Sequence, residues 1–377
     1  MPVISRIQTY VFRYPLDVPV VTSFGRMRDR PAVLVRVEDS DGAYGWGEIW
    51  CNFPGCGAEH RARLVETVIS EHLVRMQAEP AVMFQSLTRK LNVLTLQTGE
   101  YGPLAQAVAG VDIALWDLTA RKTGMPLRKI LSSAASDAVP AYASGIHPDG
   151  LDAAVEAARL KGYRAFKLKV GFGAKKDRSA VGGLRSMLND GERMMLDANQ
   201  AWDLSSASDM MRRLAEYAPD WIEEPLAADR PWAEWRTLKS SAPIPLAAGE
   251  NLRGDESFDA AIASRSLAVI QPDLCKWGGI SGCLPVARRA IDAGLTYCPH
   301  FLGAGIGLVA SAQLLAAAGG GGMLEVDSNP NPLQQLLGQP LPEVTGGLMM
   351  LPDSAGLGVE PDLRAAEKWL TFSTSSS

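Results

Sequence analysis

The segment that decides the fold is residues 164–170, which read Arg164-Ala165-Phe166-Lys167-Leu168-Lys169-Val170. It is typical of a short buried strand, and helix-forming stretches lie between it and its neighbours. Similar apolar strands are predicted at 139–143, 193–198, 220–223, 244–248, 267–271, 295–298 and 322–325. Segments that can hold helices alternate with them, among them 151–161, 204–217 and 281–293. Eight strand–helix units predict an α/β fold, a (β/α)8 TIM-type barrel.

The segment before this barrel has a different pattern. Strands are predicted at 3–12 and 32–37, followed by a helix over 103–122 whose apolar residues recur every three or four positions. The sequence therefore predicts an N-terminal α+β capping domain at 1–125, a barrel domain at 126–354, and a C-terminal segment at 355–377 with a disordered Ser/Thr tail. A doubly wound sheet is the alternative, but residues 143–147 are not the Gly-rich phosphate loop it needs.

Composition limits the functional classes. The 377 residues are 47% hydrophobic and 21% charged, with a net charge of -5. Such a balance is ordinary for a globular protein and lacks the basic surface needed for nucleic acid or an anionic membrane. The N-terminus has no apolar signal stretch, so a cytoplasmic location is expected. Five cysteines without a CxxC pair indicate free thiols, with a Cys51–Cys56 bridge as the less favoured alternative.

Polar residues follow the predicted strands in a regular series. They are Lys167, Lys169, Asp197, Asn199, Glu223, Glu224, Glu250, Asn251, Asp273, His300 and Glu325. The step between strands ranges from 28 residues, Lys169 to Asp197, to 23 residues, Glu250 to Asp273. Catalytic groups of TIM barrels lie at the C-terminal ends of the strands. The spacing therefore predicts that these side chains form one ring at the mouth of the barrel.

Three of these residues are carboxylates on adjacent strands, namely Asp197, Glu223 and Glu250. Carboxylates that converge repel one another unless a cation lies between them. All-oxygen ligands favour a hard ion, and the predicted ion is Mg²⁺. The alternative is three separate surface ion pairs. Glu224 should point away from Glu223 by strand alternation, and a structural role is predicted for it.

Basic groups occupy both sides of this predicted ion. Lys167 and Lys169 share one face of their strand, so each should lower the pKa of the other, which suits a general base. A solvated lysine pair is the alternative. Asp273 can orient His300 and stabilise its protonated form. The other three histidines, His60, His72 and His147, are expected to be structural.

Together these motifs resemble the enolase superfamily, and within it the mandelate racemase subgroup. The resemblance rests on residues 167–169, 197–199, 221–225, 249–251, 272–273, His300 and Glu325, and on residues 107–127 before the barrel. It implies Mg²⁺ bound by Asp197, Glu223 and Glu250. It also implies acid/base roles for Lys169 and for His300 with Asp273, and substrate binding by the residues Lys167, Asn199 and Glu325, with Glu325 donating a hydrogen bond as a protonated acid.

The resemblance also implies a cap whose loops at 21–25 and 50–53 close over the substrate, with the C-terminal segment packed on the cap. The implied reaction is removal of the α-proton of a hydroxycarboxylate, most often followed by loss of water, as in acid sugar dehydratases. A racemase or epimerase is the alternative, and a non-catalytic binding protein is a remote one. The muconate-cyclising and dipeptide-epimerising enzymes of this superfamily carry a lysine at the position of Asp273, which argues against those two activities here. A zinc hydrolase would need an HxH pair that is absent here. The expected partners are a small carboxylate substrate and further copies of the chain.

Overall fold

The computed structural model describes residues 3–21, 25–241 and 243–377. The chain begins with an antiparallel meander of β1 (Ile4–Val21), β2 (Arg26–Asp39) and β3 (Tyr44–Ile49). Helices follow: α1 (Gly57–Leu64), a π-helical turn (Val65–Ile69), α2 (Ser70–Leu73), α3 (Pro80–Thr98) and α4 (Tyr101–Thr123). These elements form the cap, as the sequence predicts.

Strand β2 has apolar residues on both of its faces. Val33, Val35 and Val37 belong to the core that the cap forms with its own helices. Ala32 and Leu34, which alternate with them, belong to the core of the barrel. The two faces of β2 therefore join the cap to the barrel by apolar burial on both sides.

The contact between β3 and α4 requires glycine. A Cβ on Gly47 would lie 1.9 Å from the carbonyl oxygen of Gly110, and a Cβ on Gly45 would lie 2.2 Å from that of Ala114. Any other residue at these positions would push the helix away from the strand. The close approach keeps β3, and the residues that follow it, at a fixed height above the barrel.

Eight parallel strands form the barrel, and each overlaps a predicted strand. They are β4 (Ala138–Ile146), β5 (Ala165–Lys169), β6 (Arg193–Asp197), β7 (Ile222–Glu223), β8 (Leu246–Ala248), β9 (Val269–Ile270), β10 (Thr296–Tyr297) and β11 (Leu324–Asp327). Strands β4 to β10 pair in chain order, and β11 pairs with β4. Within the described residues, β10 and β11 have no backbone ladder, and they meet through the Met323 N–H, which donates to Cys298 Sγ at 3.3 Å.

The helices of this region begin with α5 before the barrel and then alternate with the strands. They are α5 (Leu127–Leu131), α6 (Leu151–Leu160), α7 (Ala174–Met187), α8 (Leu204–Leu214), α9 (Trp232–Lys239), α10 (Asp255–Ser264), α11 (Gly279–Asp292) and α12 (Gly305–Ala318). Short elements follow β11: α13 (Pro332–Leu336), β12 (Val344–Thr345), β13 (Leu348–Met350), α14 (Leu363–Ala366) and β14 (Leu370–Ser376). Turns of 3-10 helix precede β7 and β14. The fold is an α/β barrel with a cap, which confirms the predicted fold class. The domain boundaries stay predictions.

The end of the chain corrects one expectation. Residues 370–376, expected to be disordered, form β14, which pairs antiparallel with β1 at the edge of the cap sheet. The hydroxyls of Thr9 and Thr374 are 2.7 Å apart in a buried hydrogen bond, and the Arg63 guanidinium lies 4.7 Å from the Phe372 ring centre. Threonine and phenylalanine favour strands when a partner edge is available, and composition alone does not reveal that edge.

Two further expectations concern the whole chain. All five cysteines are free, so Cys51 and Cys56 form no bridge. Within residues 3–21, 25–241 and 243–377, no helix combines the length and the hydropathy of a membrane span.

Candidate active site

The predicted ring forms at the C-terminal mouth of the barrel. Lys167 and Lys169 lie on β5, Asp197 ends β6, Glu223 ends β7, Glu250 lies two residues after β8, Asp273 and His300 lie three residues after β9 and β10, and Glu325 lies on β11. Except for Lys169, which is half-buried, and Glu250, whose side chain is 11% exposed, these side chains are buried. Charged groups are buried in proteins when they are paired or bind an ion, and here each has a partner of opposite charge.

The two lysines each contact two acceptors. Lys167 Nζ lies 2.5 Å from Glu223 Oε2 and 2.7 Å from Glu325 Oε1. Lys169 Nζ lies 2.6 Å from Asp197 Oδ2 and 2.8 Å from Asn199 Oδ1. The strand pattern that placed both lysines on one face therefore brings them to the carboxylates of the next two strands.

These contacts correct the expected pKa of the lysines. Burial is the largest single effect on Lys169 and opposes its protonated form, as does repulsion by Lys167, but attraction to Asp197 and Glu223 and the hydrogen bond to Asp197 together raise the pKa of Lys169. Burial likewise opposes protonation of Lys167, yet Glu223 and Glu325 raise its pKa well above the usual value. The expectation of a lowered pKa was wrong for this ion-paired arrangement because it counted the second lysine and omitted the carboxylates.

On the other side of the mouth, His300 is held between two acids. Its Nδ1 is 2.7 Å from Asp273 Oδ2, and its Nε2 contacts Glu250. Asp273 Oδ1 accepts the backbone N–H groups of Cys275 at 2.8 Å and Lys276 at 3.1 Å, so the aspartate cannot rotate freely. Burial opposes the charged imidazole, but Glu250 and Glu325 raise the pKa of His300 well above its usual value. The predicted His–Asp pair is thus present in the geometry.

The contacts of Glu325 bear on its expected protonated state. Its carboxylate accepts from Lys167 and from the hydroxyl of Ser144. Burial alone would raise its pKa, but Lys167 and His300 lower the pKa. These contacts favour the ionised form of Glu325, and its role as a protonated hydrogen-bond donor stays a prediction. Spacing along the chain does not reveal that Lys167 on β5 contacts Glu325 on β11, the second strand away through β4.

The carboxylates fit a divalent cation. Glu223 Oε1 is buried and has no hydrogen-bond partner within the described part of the chain, so one acceptor oxygen is left for an ion. Burial and the neighbouring Asp197 raise the pKa of Glu223 to about 7, which reflects the repulsion that a cation would relieve. The predicted ligands Asp197 and Glu250 point instead to Lys169 and His300.

Another grouping of ligand atoms is also present. Glu223, His300 and Glu325 each offer one atom within 4.8 Å of the other two. Only Glu223 belongs to both this group and the predicted set. His300 and Glu325 are already engaged by Asp273 and Lys167, and an imidazole is a poor ligand for a hard ion.

Several neighbours of the ring were missed by sequence reasoning. Gln271 Nε2 donates to Glu223 Oε2 at 2.7 Å. Lys276 Nζ lies 3.2 Å from Asn251 Oδ1 and 3.5 Å from a Glu250 oxygen. Gln271 could have been found, because it is a polar residue directly after an apolar strand. Lys276 lies in a loop, and its direction has no sequence signal.

Glu224 has the neighbours that its predicted structural role requires. Its two carboxylate oxygens accept from Asn251 Nδ2 at 3.0 and 2.9 Å, away from the contacts of Glu223. Its φ of 38° is a left-handed conformation that turns the chain sharply after β7. Burial and the charge of Glu250 raise its pKa well above the usual value.

The cap contacts the loops that carry Asp273 and His300. The Glu48 carboxylate accepts from the Ala304 N–H and, at 2.7 Å, from the Gly307 N–H at the start of α12. Asp112 accepts from the Ser281 N–H at 2.9 Å and from its hydroxyl at 2.6 Å, in the first turn of α11. Both carboxylates therefore lie at helix N-termini, where negative charge is favoured.

The second expected cap loop also contacts the mouth. The backbone N–H of Trp50 donates to the Cys275 carbonyl at 3.2 Å, and Asn52 Nδ2 donates to the Leu302 carbonyl at 2.8 Å. Residues 50–53 thus bridge the loops after β9 and β10. Of the first expected loop, residues 22–24 lie outside the described residues.

Comparison with protein families agrees with this fold and ring. The enolase C-terminal domain-like model matches residues 150–366, and the mandelate racemase / muconate lactonizing enzyme N-terminal domain model matches residues 6–132. Both domains of one architecture are therefore present in the expected order. The chain belongs to the mandelate racemase / muconate lactonizing enzyme family of the enolase superfamily.

Known proteins resemble the chain over nearly its whole length. D-galactarolactone cycloisomerase from Agrobacterium fabrum is 30% identical, over 95% of this chain and 96% of that protein. A crystal structure described as mandelate racemase/muconate lactonizing enzyme, from Bordetella bronchiseptica, is 53% identical with a TM-score of 0.92, over 97% and 99% of the two chains. L-talarate dehydratase from Polaromonas, solved with Mg and L-glucarate, is 25% identical with a TM-score of 0.86, over 100% of both chains. Members of the family are enzymes, and those similar to this chain include dehydratases and isomerases.

Proposed function

We propose that this enzyme removes the α-proton of a hydroxycarboxylate with Mg²⁺ and then eliminates water from the neighbouring carbon. The product would be a 2-keto-3-deoxy acid, and the substrate an acid sugar or hydroxy-diacid. The observation that carries the proposal is the pair of proton-transfer groups, Lys169 and His300, on two sides of one carboxylate cluster. Dehydration needs such a pair, since one group takes the α-proton and the other protonates the leaving hydroxyl.

The ligands proposed for Mg²⁺ are Asp197, Glu223 and Glu250. They are three oxygen donors from consecutive strands, and Glu223 keeps an unpaired oxygen. The bound ion would supply positive charge to the substrate carboxylate and to the enediolate that proton removal creates. The L-talarate dehydratase structure with Mg and L-glucarate supports this choice of ion.

Each residue of the ring then has a role. Lys169 takes the α-proton, and it can lose its own proton once the charge of Asp197 is neutralised by a cation. Lys167 binds the substrate carboxylate. Asn199, which already accepts from Lys169, contacts the carboxylate or the α-hydroxyl.

The opposite side completes the reaction. His300, oriented by Asp273 at 2.7 Å, gives its Nε2 proton to the leaving hydroxyl. Glu325 contacts both Lys167 and His300 and lies beside the substrate site, where its hydrogen bond to the substrate stays a prediction. Trp50 and Asn52 of the cap loop, which hydrogen-bond the loops after β9 and β10, would cover the substrate on this side of the mouth.

Two isomerase activities are the second candidates. If the enediolate is reprotonated on its other face, the reaction is racemisation or epimerisation, and the same two groups suffice. The 30% identity to D-galactarolactone cycloisomerase favours a test of a cyclic acid as well. A non-catalytic binding protein is the remaining alternative, and the complete set of proton-transfer residues argues against it.

The test is proton NMR of the Mg²⁺-loaded enzyme in D₂O with a panel of acid sugars, hydroxy acids and galactarolactone. Loss of substrate with growth of a 2-keto-3-deoxy product would establish a dehydratase. Deuterium at the α-carbon with inversion and no elimination would make the enzyme a racemase or epimerase. The control is the Lys169→Ala, His300→Asn double variant, which should do neither. A cytoplasmic location and a homo-oligomeric state remain predictions.

A further inference from the structure

Arg30 is a buried cap residue that the proposed chemistry does not use. It lies on β2 and is 1% exposed. Along this strand it follows the same alternation as Ala32 and Leu34, whose side chains belong to the barrel core, so Arg30 is on the side of β2 that faces the barrel. Its guanidinium reaches the end of β11, where Nη2 forms a buried ion pair with Asp327 Oδ2.

The position of Asp327 relates this guanidinium to the active site. Asp327 lies two residues after Glu325 on β11, so both side chains are on the same face of the strand, about 7 Å apart along it. Glu325 contacts Lys167 and His300 inside the mouth. Asp327 is therefore one layer nearer the cap, and Arg30 lies above the ring on the β11 side.

Of the two terminal nitrogens of the Arg30 guanidinium, Nη2 has a carboxylate partner and Nη1 has no hydrogen-bond partner in the described part of the chain. Asp327 Oδ1 accepts from the Asn329 N–H at 3.0 Å and from Asn329 Nδ2 at 2.8 Å, which leaves Oδ2 alone for Arg30. Arg30 Nη1 is buried and has no hydrogen-bond partner anywhere in the described ranges. A buried guanidinium N–H without an acceptor is costly, and a carboxylate is the group that its planar fork matches best.

We infer that Arg30 binds the second carboxylate of a dicarboxylic acid sugar, at the end of the substrate farthest from the proton-transfer groups. This assignment rests on the proposed function and adds the substrate class to it. The rise of about 7 Å from Glu325 to Asp327 is comparable to the length of a six-carbon acid sugar, and this comparison motivates the assignment. A monoacid sugar would leave Nη1 without an acceptor, so the site selects against it.

The test compares matched acids that differ only at the far end, galactarate with galactonate and glucarate with gluconate. Arg30→Met should lower kcat/KM for the diacid roughly 10- to 100-fold and change the value for the monoacid less than about 3-fold. Arg30→Lys, which keeps the charge but not the fork, should recover part of the preference. Arg13→Met is the control, because Arg13 belongs to a partly exposed ion-pair cluster of the cap with Asp29 and Glu59, and it should leave the preference unchanged.

Asp327→Asn separates substrate binding from a merely structural clamp. It weakens the ion pair but keeps Arg30, so it should lower the melting temperature as Arg30→Met does while keeping the diacid preference. Equal losses on diacid and monoacid in Arg30→Met, or the same loss of preference in both variants, would overturn the assignment.

Calorimetric titration of the Mg²⁺-loaded enzyme with galactarate and galactonate tests the subsite without turnover. If no acid sugar reacts but galactarate binds more tightly and Arg30→Met removes the difference, the proposed function fails and the subsite stands. If acid sugars react but the two ligands bind equally well to wild type and variant, the subsite fails and the function stands.

Discussion

The two halves of the barrel mouth hold their proton-transfer groups in different ways. On the lysine half, Lys167 and Lys169 lie within β5, a five-residue strand paired on both sides with β4 and β6. On the histidine half, β9 and β10 have only two residues each, and Asp273 and His300 lie in the loops beyond them. Backbone pairing positions the lysines, whereas the histidine half needs support from outside the barrel.

The cap gives that support. Glu48 and Asp112 accept from the first turns of α12 and α11, which follow the loops of His300 and Asp273, and Trp50 and Asn52 bond to the same loops. Among the described residues, no comparable set of cap hydrogen bonds reaches the loops after β5 or β6. One half is thus built by the barrel alone and the other by the barrel and cap together.

The largest effect should come from removing either proton-transfer group. Lys169→Ala and His300→Asn are each expected to lower dehydration about 10³-fold without unfolding the barrel. The halves should differ in D₂O: His300→Asn should keep exchange of the substrate α-proton, and Lys169→Ala should lose it. NMR of each variant, with circular dichroism as the folding control, measures this. Wild-type turnover in both variants would refute the assignment.

Asp273→Asn should come next. An asparagine in place of Asp273 keeps the shape but cannot stabilise the protonated imidazole, so turnover should fall roughly 10²- to 10³-fold. Exchange of the α-proton by Lys169 should persist, since Asp273 has no contact with the lysine half. Single-turnover kinetics of dehydration and the rate of α-proton exchange, both measured on this variant, would show the difference. An equal loss of both signals would mean that the two halves are not independent.

The metal ligands are divided between the halves as well. Asp197 pairs with Lys169, and Glu250 pairs with His300. Glu250→Gln and Asp197→Asn should each weaken Mg²⁺ binding by roughly 10- to 100-fold, as loss of one charged ligand to a hard ion requires. Metal titration followed by calorimetry checks this, with Glu59→Gln on the cap surface as the control. If Glu250→Gln or Asp197→Asn binds Mg²⁺ with unchanged affinity, the substituted residue is not a ligand of the ion.

The last effect concerns the stability of the fold and not turnover, and it comes from the cap carboxylate Glu48. Burial raises its pKa to about 7 from 4.5, so the folded protein binds this proton more tightly than the unfolded chain does. The contribution is complete below about pH 4.5 and is lost as the pH rises to about 7, and the free energy of unfolding should fall by about 3 kcal/mol over that range. Glu48→Gln should remove this fall, as urea unfolding at several pH values would show.

Glu59, another carboxylate of the cap, should contribute to stability with the opposite dependence on pH. Hydrogen bonding to Arg13 lowers the pKa of Glu59, so its contribution is present at neutral pH and is lost as the pH falls through the folded-state pKa. The Glu48→Gln variant also tests the support that the cap gives to the histidine half. It should lower the protonation of the leaving hydroxyl by His300 more than the exchange of the α-proton by Lys169. If both activities fall together, Glu48 supports the fold as a whole and not the histidine half.

The part of this arrangement that sequence reasoning predicted is the part set by strand periodicity. Barrel strands recur at regular intervals, so the positions of Lys169, Asp197 and Glu223 at neighbouring strand ends follow from spacing alone. Their ionisation states do not follow, because they depend on contacts between side chains of different strands, such as Lys167 on β5 with Glu325 on β11. Local composition also could not reveal a partner for residues 370–376, since β1 lies more than 350 positions away.

The boundary between β10 and β11, here called the seam, has no backbone ladder within the described residues, and this has a consequence for local motion. Strands β5 and β6 have hydrogen-bonded neighbours on both sides, whereas within the described residues β10 has a ladder only with β9, and the Met323 amide donates to a soft sulfur acceptor. Amides of such a seam open more readily, so residues 322–323 should exchange with solvent deuterium faster than those of β5 and β6. This boundary lies beneath His300 and Glu325. Local opening between β10 and β11 would therefore displace the histidine half of the mouth, which is the half that the cap supports by hydrogen bonds.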